Sequence, residues 1–538
     1  MHVSMRTAAL AVALTAALVL PALASGSPRS TTVFVSHAGV AGARDANCAT
    51  AAYQSVQDAV TAASDAATVY LCGRQPFTGP VVITKDIDLT GDRGATISSN
   101  DNPAQPTADQ IPAQYLSGRY SGLDAPDAIV AIVADVHVRI DGLRIHGQFI
   151  NATCPSHADD FGIIALGSPD QGATLQLSRD TITGIGSSNQ PSCGGLGIGL
   201  LIGRYYFPTA SGVRLVNFAA HADIQNTTID GYQSGGMLVD GATSTVELHR
   251  SAVRGSGPNS TLEQVGVQIS RGATGELTDN LIAGNEYSGT TPGTAGLGID
   301  IFGGCTDVGG GPLDTNVRVF GNHIANNDLG VVILQGDNSS QCVNPAPTPT
   351  AEQIVANLIS KDGGLSNTST EIDQYGNAYA GYQAGIQDSG NSDTITHNTI
   401  ASSSSAFGPQ VTSPGPFLAP IDIQSYSTTS PVIHANTYNG RPTTPPYPGQ
   451  PAAPTPAHAA AHNTHPVTVQ RPRSRHSRRR SSRTPYDAQI CRPSRRSAPC
   501  SLSEISYLPR PAAEERRAAA YMTSGTGSAP TFGQRRID

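Results

Sequence analysis

Two adjacent acidic residues are the first groups in this sequence that suggest acid–base chemistry. The segment HADDFGIIAL (residues 157–166) places Asp159 and Asp160 at the start of an apolar run. Cleavage of a bond between two sugars by water needs two carboxyl groups, one as acid and one as base, far enough apart to admit the water. The segment is a candidate for such a pair. The alternative is that both residues only support the loop that contains Cys154.

A second candidate set combines carboxylates on separate strands with an arginine. Asp300 in GIDI and Asp422 in PIDI occupy outward positions of apolar strands, and Arg318 is near Asp300 in sequence. Removal of a proton beside a carboxyl group needs a base and a charge that stabilises the resulting anion. The equivalent outward positions of successive strands are held by Gln268, Asp300, Val332, Gln387 and Asp422. Val332 interrupts the row, so isolated surface carboxylates are the alternative.

Tyrosines that could hold a sugar occur in the loops. Tyr287, Tyr375, Tyr379 and Tyr382 are of this kind, and the last three lie within DQYGNAYAGYQ. A tyrosine ring can lie against a sugar face while its hydroxyl forms hydrogen bonds. Burial of the rings as loop anchors is the alternative, and the absence of Trp weighs against a sugar platform.

The elements that must position these residues are short, repeated strands. The tripeptide Asn-x-Ile, or a variant of it, recurs at intervals of 24 to 47 residues. Its apolar third position is held by Ile182, Ile229, Val253, Ile282, Ile324, Ile359 and Ile400. Most repeats are followed by a second apolar strand that opens with Gly or Ala. Such units cannot bury their apolar side chains alone, so they predict a solenoid with coils of roughly 20–25 residues and loops of variable length.

Asparagine holds the first position of the tripeptide at Asn280, Asn322, Asn357 and Asn398. At a bend, a side-chain amide can donate and accept along the stack, so the same residue in successive coils predicts a hydrogen-bonded ladder. A β-sandwich would show turns at regular intervals of about 8–12 residues. A propeller or a leucine-rich repeat would show its own signature, and neither signature is present.

The longest insertions fall at one corner of the predicted coil, between the Asn-x-Ile segment and the next Gly-led strand. They span residues 255–265, 284–297, 361–383 and 402–419. Loops from successive coils at one corner form a wall beside a strand face. A groove of this kind suits an extended polymer, and function is often carried by such loops.

The N-terminal stretch from TTVFVSHAG to DLTGD (residues 31–92) resembles the opening of secreted bacterial β-helix proteins. Tyr53, Val56, Val60 and Ala63 fall on one helical face, and this helix would cover the open end of the first coil. With the repeats, the chain resembles the right-handed parallel β-helix superfamily of pectate and pectin lyases over residues 31–440. The expected fold is all-β, a right-handed parallel β-helix (solenoid) with an N-terminal cap at 31–80 and a disordered C-terminal tail.

The resemblance has chemical implications. Pectate lyases use Ca²⁺ on carboxylates and an arginine base, so Ca²⁺ is expected only if the protein is a lyase, and no other cofactor is required. HADDFGIIAL resembles the Asp-Asp segment of polygalacturonases. The other motifs of that family, Asn-Thr-Asp, Gly-His-Gly and Arg-Ile-Lys, have no counterpart here.

Six of the eight cysteines fit the predicted register. Cys154 and Cys193 fall at the same corner of neighbouring coils, as do Cys305 and Cys342, whereas Cys48 and Cys72 flank the cap helix. Adjacent strands lie about 5 Å apart, a separation that disulfide geometry accepts. We therefore predict Cys154–Cys193, Cys305–Cys342 and Cys48–Cys72, with free or differently paired thiols as the alternative.

The two ends of the chain differ from the body. Residues 1–24 have a basic start, an apolar run and Ala-Leu-Ala, which predicts a signal peptide and a secreted or envelope protein. Residues 441–470 read as a Pro-rich linker and 471–538 as a disordered Arg-rich tail. From residue 442 onward the net charge is +10, against −18 for the rest. The tail could bind an anionic polymer, lack a partner, or be a misread reading frame.

The sequence predicts a secreted β-helix protein that acts on or binds an extracellular polysaccharide, as a lyase, a glycoside hydrolase or a non-catalytic adhesion module. It does not decide whether the protein is an enzyme. We expect a monomer without a membrane span in the mature chain and without a nucleic-acid partner.

Overall fold

The structure is a computed structural model, and it describes residues 31–99, 127–147, 160–168, 171–186, 197–209, 212–216, 218–260, 262–289, 294–304, 311–337, 346–362, 370–372, 378–380, 382–402, 417–423 and 429–443. Their strands form three long sheets in which neighbours are almost all parallel, wound as a right-handed parallel β-helix. The predicted fold is confirmed.

Each coil contributes one strand to each sheet, in the order A, B, C. Sheet A contains β1 (Thr32–Val35), β2 (Ala67–Leu71), β5 (Ile87–Gly91), β8 (His137–Asp141), β11 (Ala173–Ser178), β16 (Ala220–Gln225), β19 (Thr245–His249), β22 (Thr274–Thr278), β25 (Arg318–Phe320), β28 (Gln353–Val355), β33 (Thr394–Thr396) and β36 (Val432–His434). Sheet B contains β3 (Phe77–Thr78), β6 (Thr96–Ser98), β9 (Arg144–His146), β12 (Thr181–Thr183), β17 (Thr228–Asp230), β20 (Ala252–Asn259), β23 (Leu281–Tyr287), β26 (His323–Ala325), β29 (Leu358–Lys361), β34 (Thr399–Ser402), β37 (Thr437–Tyr438) and β38 (Arg441–Pro442).

Sheet C contains β4 (Val81–Ile83), β7 (Asp127–Ile132), β10 (Asp160–Ala165), β13 (Ile198–Gly203), β18 (Gly235–Asp240), β21 (Val265–Ser270), β24 (Leu297–Gly303), β27 (Leu329–Gln335), β32 (Tyr382–Asp388) and β35 (Phe417–Ile423). Two antiparallel hairpins stand outside the three sheets. They pair β14 (Tyr205–Thr209) with β15 (Gly212–Val216), and β30 (Thr370–Ile372) with β31 (Ala378–Ala380).

The apolar positions aligned in the sequence form one column in sheet B. Ile145, Ile182, Ile229, Val253, Ile282, Ile324, Ile359 and Ile400 pair in this order from coil to coil. None of them is more than 1% exposed. Because alternate strand residues face opposite sides, this column and its equivalents in the other two sheets fill the interior with one continuous apolar core.

The asparagine ladder runs along the corner between sheets A and B. In the steps Asn280–Asn322, Asn322–Asn357 and Asn357–Asn398, the backbone N–H and Nδ2 of one residue both donate to Oδ1 of the next, at 2.9–3.0 Å. Asn436 extends the ladder by one coil. Nδ2 of Asn322 also donates to the Leu277 carbonyl of the preceding coil at 2.8 Å. Each asparagine therefore ties three coils together, and the prediction of a ladder is confirmed.

The residue before each ladder position makes the bend by adopting a left-handed backbone conformation. These residues include Arg179, Asn226, Arg250, Asp279, Gly321, Ala356, His397 and Ala435, with φ between 48° and 68°. A side chain at positive φ costs roughly 1–2 kcal/mol, because Cβ approaches the following carbonyl. The repeated bend is thus fixed by the coil geometry rather than by the preference of each residue.

Ala356→Gly is therefore expected to raise the free energy of unfolding by about 0.5–1 kcal/mol, because glycine adopts φ of 57° without the Cβ penalty. Urea denaturation measures the change. The matched control is Ala283→Gly within β23, where glycine is expected to lower stability by about 0.5–1 kcal/mol. A loss of stability in both variants would contradict the interpretation.

The N-terminal cap is the helix α1 (Val56–Ala62), whose buried face consists of Val56, Ala59 and Val60. Of the four residues predicted on this face, Tyr53 and Ala63 lie outside the helix, Tyr53 in a bridge with Val35 and Ala63 at the C-cap. The Ser55 side chain accepts a hydrogen bond from the Asp58 N–H at 3.3 Å and begins the helix. The predicted Cys48–Cys72 disulfide is present. The helix contacts β1, β2 and β4, so it covers the first coil as predicted.

Several predictions fall outside the described residues. They are the signal peptide, the Arg-rich tail, and the pairs Cys154–Cys193 and Cys305–Cys342. The described strands extend past the predicted domain end at residue 440, because Arg441 and Pro442 form β38 against β37. Within the described ranges, no helix has the length and apolar character needed to cross a membrane.

Candidate functional site

The outward-facing residues of sheet C change character along the solenoid. One register column, here called the outer column, runs through Val82, Ala131, Ile164, Leu201, Leu238, Gln268, Asp300, Val332, Gln387 and Asp422. Its first half is apolar and packs in a second hydrophobic cluster outside the coil. The polar half starts at Gln268, and its order matches the prediction, including the interruption at Val332. Within the outer column, polar residues are therefore confined to the C-terminal half.

Insertions flank sheet C on both sides. Of the insertions predicted between sheets B and C, residues 255–259 and 284–287 instead continue β20 and β23 of sheet B, and most of 361–383 and 402–419 lies outside the described residues. The structure adds a second set between sheets C and A, where the chain runs from Gly303 to Arg318, from Gln335 to Gln353 and from Asp388 to Thr394. The sequence analysis considered insertions only between the Asn-x-Ile segment and the next Gly-led strand, so it missed this set.

Asp300 is a buried carboxyl group of the outer column. It lies on β24 between Gln268 and Val332 and is 3% exposed. Burial raises the pKa of Asp300 to about 7, and the positive charge of Arg271 opposes the rise. A carboxyl group with this pKa exchanges a proton near neutral pH, which an ordinary aspartate does not.

Arg271 is the arginine whose charge acts on Asp300, and the sequence analysis missed it. It follows β21 directly, has φ of 56° and is 2% exposed. Its N–H donates to the Phe302 carbonyl at 2.9 Å, and its guanidinium carbon lies 4.7 Å from the centre of the Phe302 ring. Its Nη1 donates to Oδ2 of Asp240 at 3.3 Å. These contacts hold a positive charge in one place beneath the insertions.

Asp240 anchors the charge of Arg271. Its Oδ1 accepts a hydrogen bond from the Ser270 hydroxyl at 3.1 Å, and Nε of Arg204 lies 4.0 Å from its Oδ2. Gln268 Nε2 in turn donates to the Ser270 hydroxyl at 3.3 Å. The cluster of Gln268, Ser270, Asp240, Arg204, Arg271 and Asp300 is the candidate site.

The structure does not bring Arg318 to Asp300, so that predicted pair is wrong. Arg318 lies on β25 in sheet A, where it pairs in register with Glu276. Its Nη1 lies 2.9 Å from Oε2 of Glu276, and half of its side chain is exposed. Alternation along β25 places Val319 in the core and Arg318 outward on a different sheet from Asp300.

Tyr287 is a buried anchor and does not offer its ring to a sugar. It is 2% exposed, and its N–H donates to Oδ2 of Asp328 at 2.7 Å. Asp328 also belongs to a buried ion-pair cluster in which Nζ of Lys361 lies 3.6 Å from its Oδ1 and 2.5 Å from Oε1 of Glu286. Buried side chains fill this corner between sheets B and C. The predicted role of Tyr287 in sugar binding is therefore wrong.

The remaining predicted residues are only partly placed. Asp160 is the first residue of β10 and pairs with Asp127 of β7. Tyr379 lies on β31 opposite Glu371, and Tyr382 begins β32. Asp159 and Tyr375 lie outside the described residues.

No group of three or more His, Cys, Asp or Glu side chains within the described ranges is arranged to hold a metal ion. The Ca²⁺ expectation therefore has no candidate ligand set in that part of the chain.

Comparisons with known proteins found similarity only in solved structures. No protein-family model and no curated protein matches the chain. The A-module of the Azotobacter vinelandii mannuronan C-5 epimerase AlgE4 is 12% identical over 74% of this chain and 94% of its own, with a TM-score of 0.39. The Streptococcus pneumoniae surface adhesin PfbA is 11% identical over 71% of this chain and 86% of its own, at 0.35.

The Yersinia enterocolitica family 28 exopolygalacturonase is 10% identical over 77% of this chain and 80% of its own, with a TM-score of 0.30. At these identities and scores, the three similarities carry no argument about activity. The chemistry of the site alone supports a function.

Proposed function

We propose that this chain is an extracellular enzyme that cleaves a polysaccharide over the polar half of sheet C, with Asp300 as the group that moves a proton. The proposal is supported by the position of Asp300 among the polar residues of the outer column, where burial raises the pKa of its carboxyl group to about 7 and the charge of Arg271 acts on it. Proton transfer is fastest when the pKa of the catalytic group lies near the working pH.

The spacing of carboxylates favours a lyase over a hydrolase. In the outer column, Asp300 and Asp422 are three coil steps apart, roughly 14 Å at 4.8 Å per step. Glycoside hydrolases keep their two carboxyl groups roughly 5–10 Å apart. Asp240 is bound to Ser270 and Arg271, so it does not supply the second group. Among the described residues of this cluster, Asp300 is thus the carboxylate that remains, and Arg271 and Arg204 supply positive charge that they share with Asp240.

Elimination needs only one base and one positive charge. The Asp300 carboxylate takes the proton beside the uronate carboxyl, the electrons of that C–H bond form a double bond, and the glycosidic oxygen leaves with its bonding pair. Arg271 supplies positive charge near the anion that develops. A uronate-containing polymer is therefore the substrate class that the site favours.

A panel assay tests the proposal. The purified chain is incubated with uronate and neutral polysaccharides, and the ultraviolet absorbance of a new double bond and the release of reducing ends are followed. Absorbance together with reducing ends is the expected result on a uronate polymer. Reducing ends without absorbance would indicate hydrolysis, and binding without either signal would indicate the non-catalytic adhesion module.

A further inference from the structure

Four acidic side chains lie inside the corner between sheets C and A, where the interior of the solenoid is otherwise apolar. Asp314, Glu352, Asp388 and Asp393, here called the acid stack, have no exposed surface. Asp388 pairs in register with Ile333 on one side and Ile423 on the other, so it occupies a core-facing position that its neighbours fill with isoleucine. None of the four belongs to the outer column.

The acid stack joins consecutive coils through backbone amides. Oδ1 of Asp314 accepts from the Gly272 N–H at 2.7 Å, and Oε2 of Glu352 accepts from the Val317 N–H at 2.5 Å. Oδ1 of Asp393 accepts from the Glu352 N–H at 2.8 Å. Each of these bonds connects one coil to the coil before it. The acids therefore link successive coils at this corner, as the asparagines do at the corner between sheets A and B.

Side-chain amides and hydroxyls complete the network. Gln335 donates from Nε2 to Oε1 of Glu352 and accepts at Oε1 from the Asp314 N–H, both at 2.8 Å. The Thr350 hydroxyl donates to Oδ1 of Asp393 at 2.8 Å. Gly390 leaves the space that Oδ2 of Asp393 fills, because a Cβ there would collide with that oxygen. The stack is close-packed around its carboxyl groups.

Positive charge is scarce at the acid stack. Among the described residues, no lysine or arginine forms an ion pair with Asp314, Glu352 or Asp393. The other charged groups that face the stack are acidic as well: Asp240 and Asp300 face Asp314, and Asp422 faces Asp388. Arg271 balances Asp240 and acts on Asp300 at the edge of the stack.

The carboxyl groups of Asp314, Glu352 and Asp393 need protons, because no lysine or arginine in the described part of the chain forms an ion pair with them. Oδ2 of Asp314 is fully enclosed and has no hydrogen-bond partner. The carboxyl groups of Asp388 and Asp393 are within hydrogen-bonding reach of each other, a contact that is satisfied only when one of them carries a proton. Buried carboxylates without cations take up protons rather than remain charged.

We propose that the acid stack is a pH-sensitive latch: while its carboxyl groups are protonated it holds the C-terminal coils of the solenoid together, and its ionisation loosens them. The latch does not depend on the proposed enzymatic function. It lies directly behind the candidate site, so loosening it would also disturb the support of β24.

The direction of the pH effect follows from the proton balance. Burial, reinforced by acidic neighbours, raises the pKa of Asp314, Glu352 and Asp388 well above the usual range, and burial raises that of Asp393. The unfolded chain releases these protons above pH about 4, whereas the folded chain keeps them. The stabilisation is therefore complete below pH about 4 and is lost as pH rises towards the folded pKa values. Each proton kept only by the folded state changes the unfolding equilibrium constant about tenfold per pH unit.

The test compares the 538-residue chain with Asp314→Asn and Asp393→Asn by urea denaturation at pH 5, 6, 7 and 8.5. Both variants keep the Oδ1 acceptor and replace Oδ2 with a group that cannot ionise. The urea midpoint of the wild type is expected to fall steadily across this range. Both variants should show a flatter dependence and should exceed the wild type at pH 8.5.

Hydrogen exchange locates the effect even if one variant fails to fold. In the wild type, protection factors of β25, β28 and β33 should drop at least about tenfold between pH 5 and pH 8.5, while those of β2 and β5 stay constant. Asp88→Asn, a change of an exposed carboxylate on sheet A, is the control and should leave the wild-type dependence unchanged. Burial also raises the pKa values of Asp180 and Asp300 to about 7. The contribution of Asp180 cancels in the difference between each variant and wild type. Asp300 faces Asp314, so its contribution cancels in Asp393→Asn, and this variant carries the comparison.

Two results would overturn the proposal. One is a wild-type urea midpoint and exchange pattern that do not change with pH. The other is a pair of variants that run parallel to the wild type at every pH, which would mean that the four acids act only through packing.

Discussion

Asp300→Asn is expected to lower the rate of polysaccharide cleavage about a thousandfold, with little change in substrate binding. General acid–base groups contribute roughly 10²–10⁴ to a rate, and asparagine keeps the size of the side chain but cannot accept the proton. The measurement is kcat from the absorbance of the unsaturated product on the uronate polymer that the panel identifies. A variant with near wild-type kcat would remove Asp300 from the mechanism.

The matched control for this prediction is Arg318→Gln. Arg318 lies on sheet A with Glu276, far from the candidate site around the coil, so its loss should change kcat less than about twofold. An exposed ion pair of this kind is worth at most about 1 kcal/mol, so the variant should fold normally. A large loss of kcat in this control would restore the pairing of Arg318 with Asp300 that the sequence suggested.

Asp300 also determines how the cleavage rate is expected to depend on pH. As a base, Asp300 must be ionised, so the rate should rise with pH through about 7, the pKa to which burial raises this carboxyl. At pH well below 7 the group is protonated and the rate falls about tenfold per pH unit. A rate that falls as pH rises through 7 would assign Asp300 as an acid instead, and hydrolysis would become the better mechanism.

Asn322→Ala is expected to lower the free energy of unfolding by about 4 kcal/mol, the largest effect on stability. Alanine removes the acceptor for the Asn280 N–H and Nδ2 and the donors to the Asn357 Oδ1 and the Leu277 carbonyl. Each buried polar group left without a partner costs about 1–3 kcal/mol. Urea or thermal denaturation measures the loss.

The control for Asn322→Ala uses a residue that replaces asparagine at another position of the ladder. Ser251 holds the same position two coils earlier. Its hydroxyl accepts from the Thr227 N–H at 3.1 Å and donates to the His249 carbonyl at 2.9 Å. Asn322→Ser should therefore cost clearly less than Asn322→Ala. Gln353→Ala, on the exposed face of β28, should cost less than about 0.5 kcal/mol. Equal losses for alanine and serine would mean that packing, not the ladder, sets the stability of this corner.

Local pattern in the sequence was sufficient to determine the coil. The column from Ile182 to Ile400, the asparagine ladder and the buried face of α1 each follow from a residue pattern that repeats along the chain. In a repeated coil, equivalent residues of successive coils lie next to each other. The order of the outer column at Asp300 and Asp422 followed from the same register. Residues that recur at equal strand positions can therefore be placed without coordinates.

Contacts between different corners were decided only by the tertiary structure. The charge of Arg271, and not that of Arg318, acts on Asp300, because Arg318 faces outward from sheet A beside Glu276, and its nearness to Asp300 in sequence does not bring it to the same sheet. Tyr287 is enclosed and the four acids of the stack meet inside the corner because burial is a property of the packed coils, and the sequence alone carries no measure of it. The charge and proton state of the candidate site therefore come from tertiary packing, whereas its strands come from the repeat.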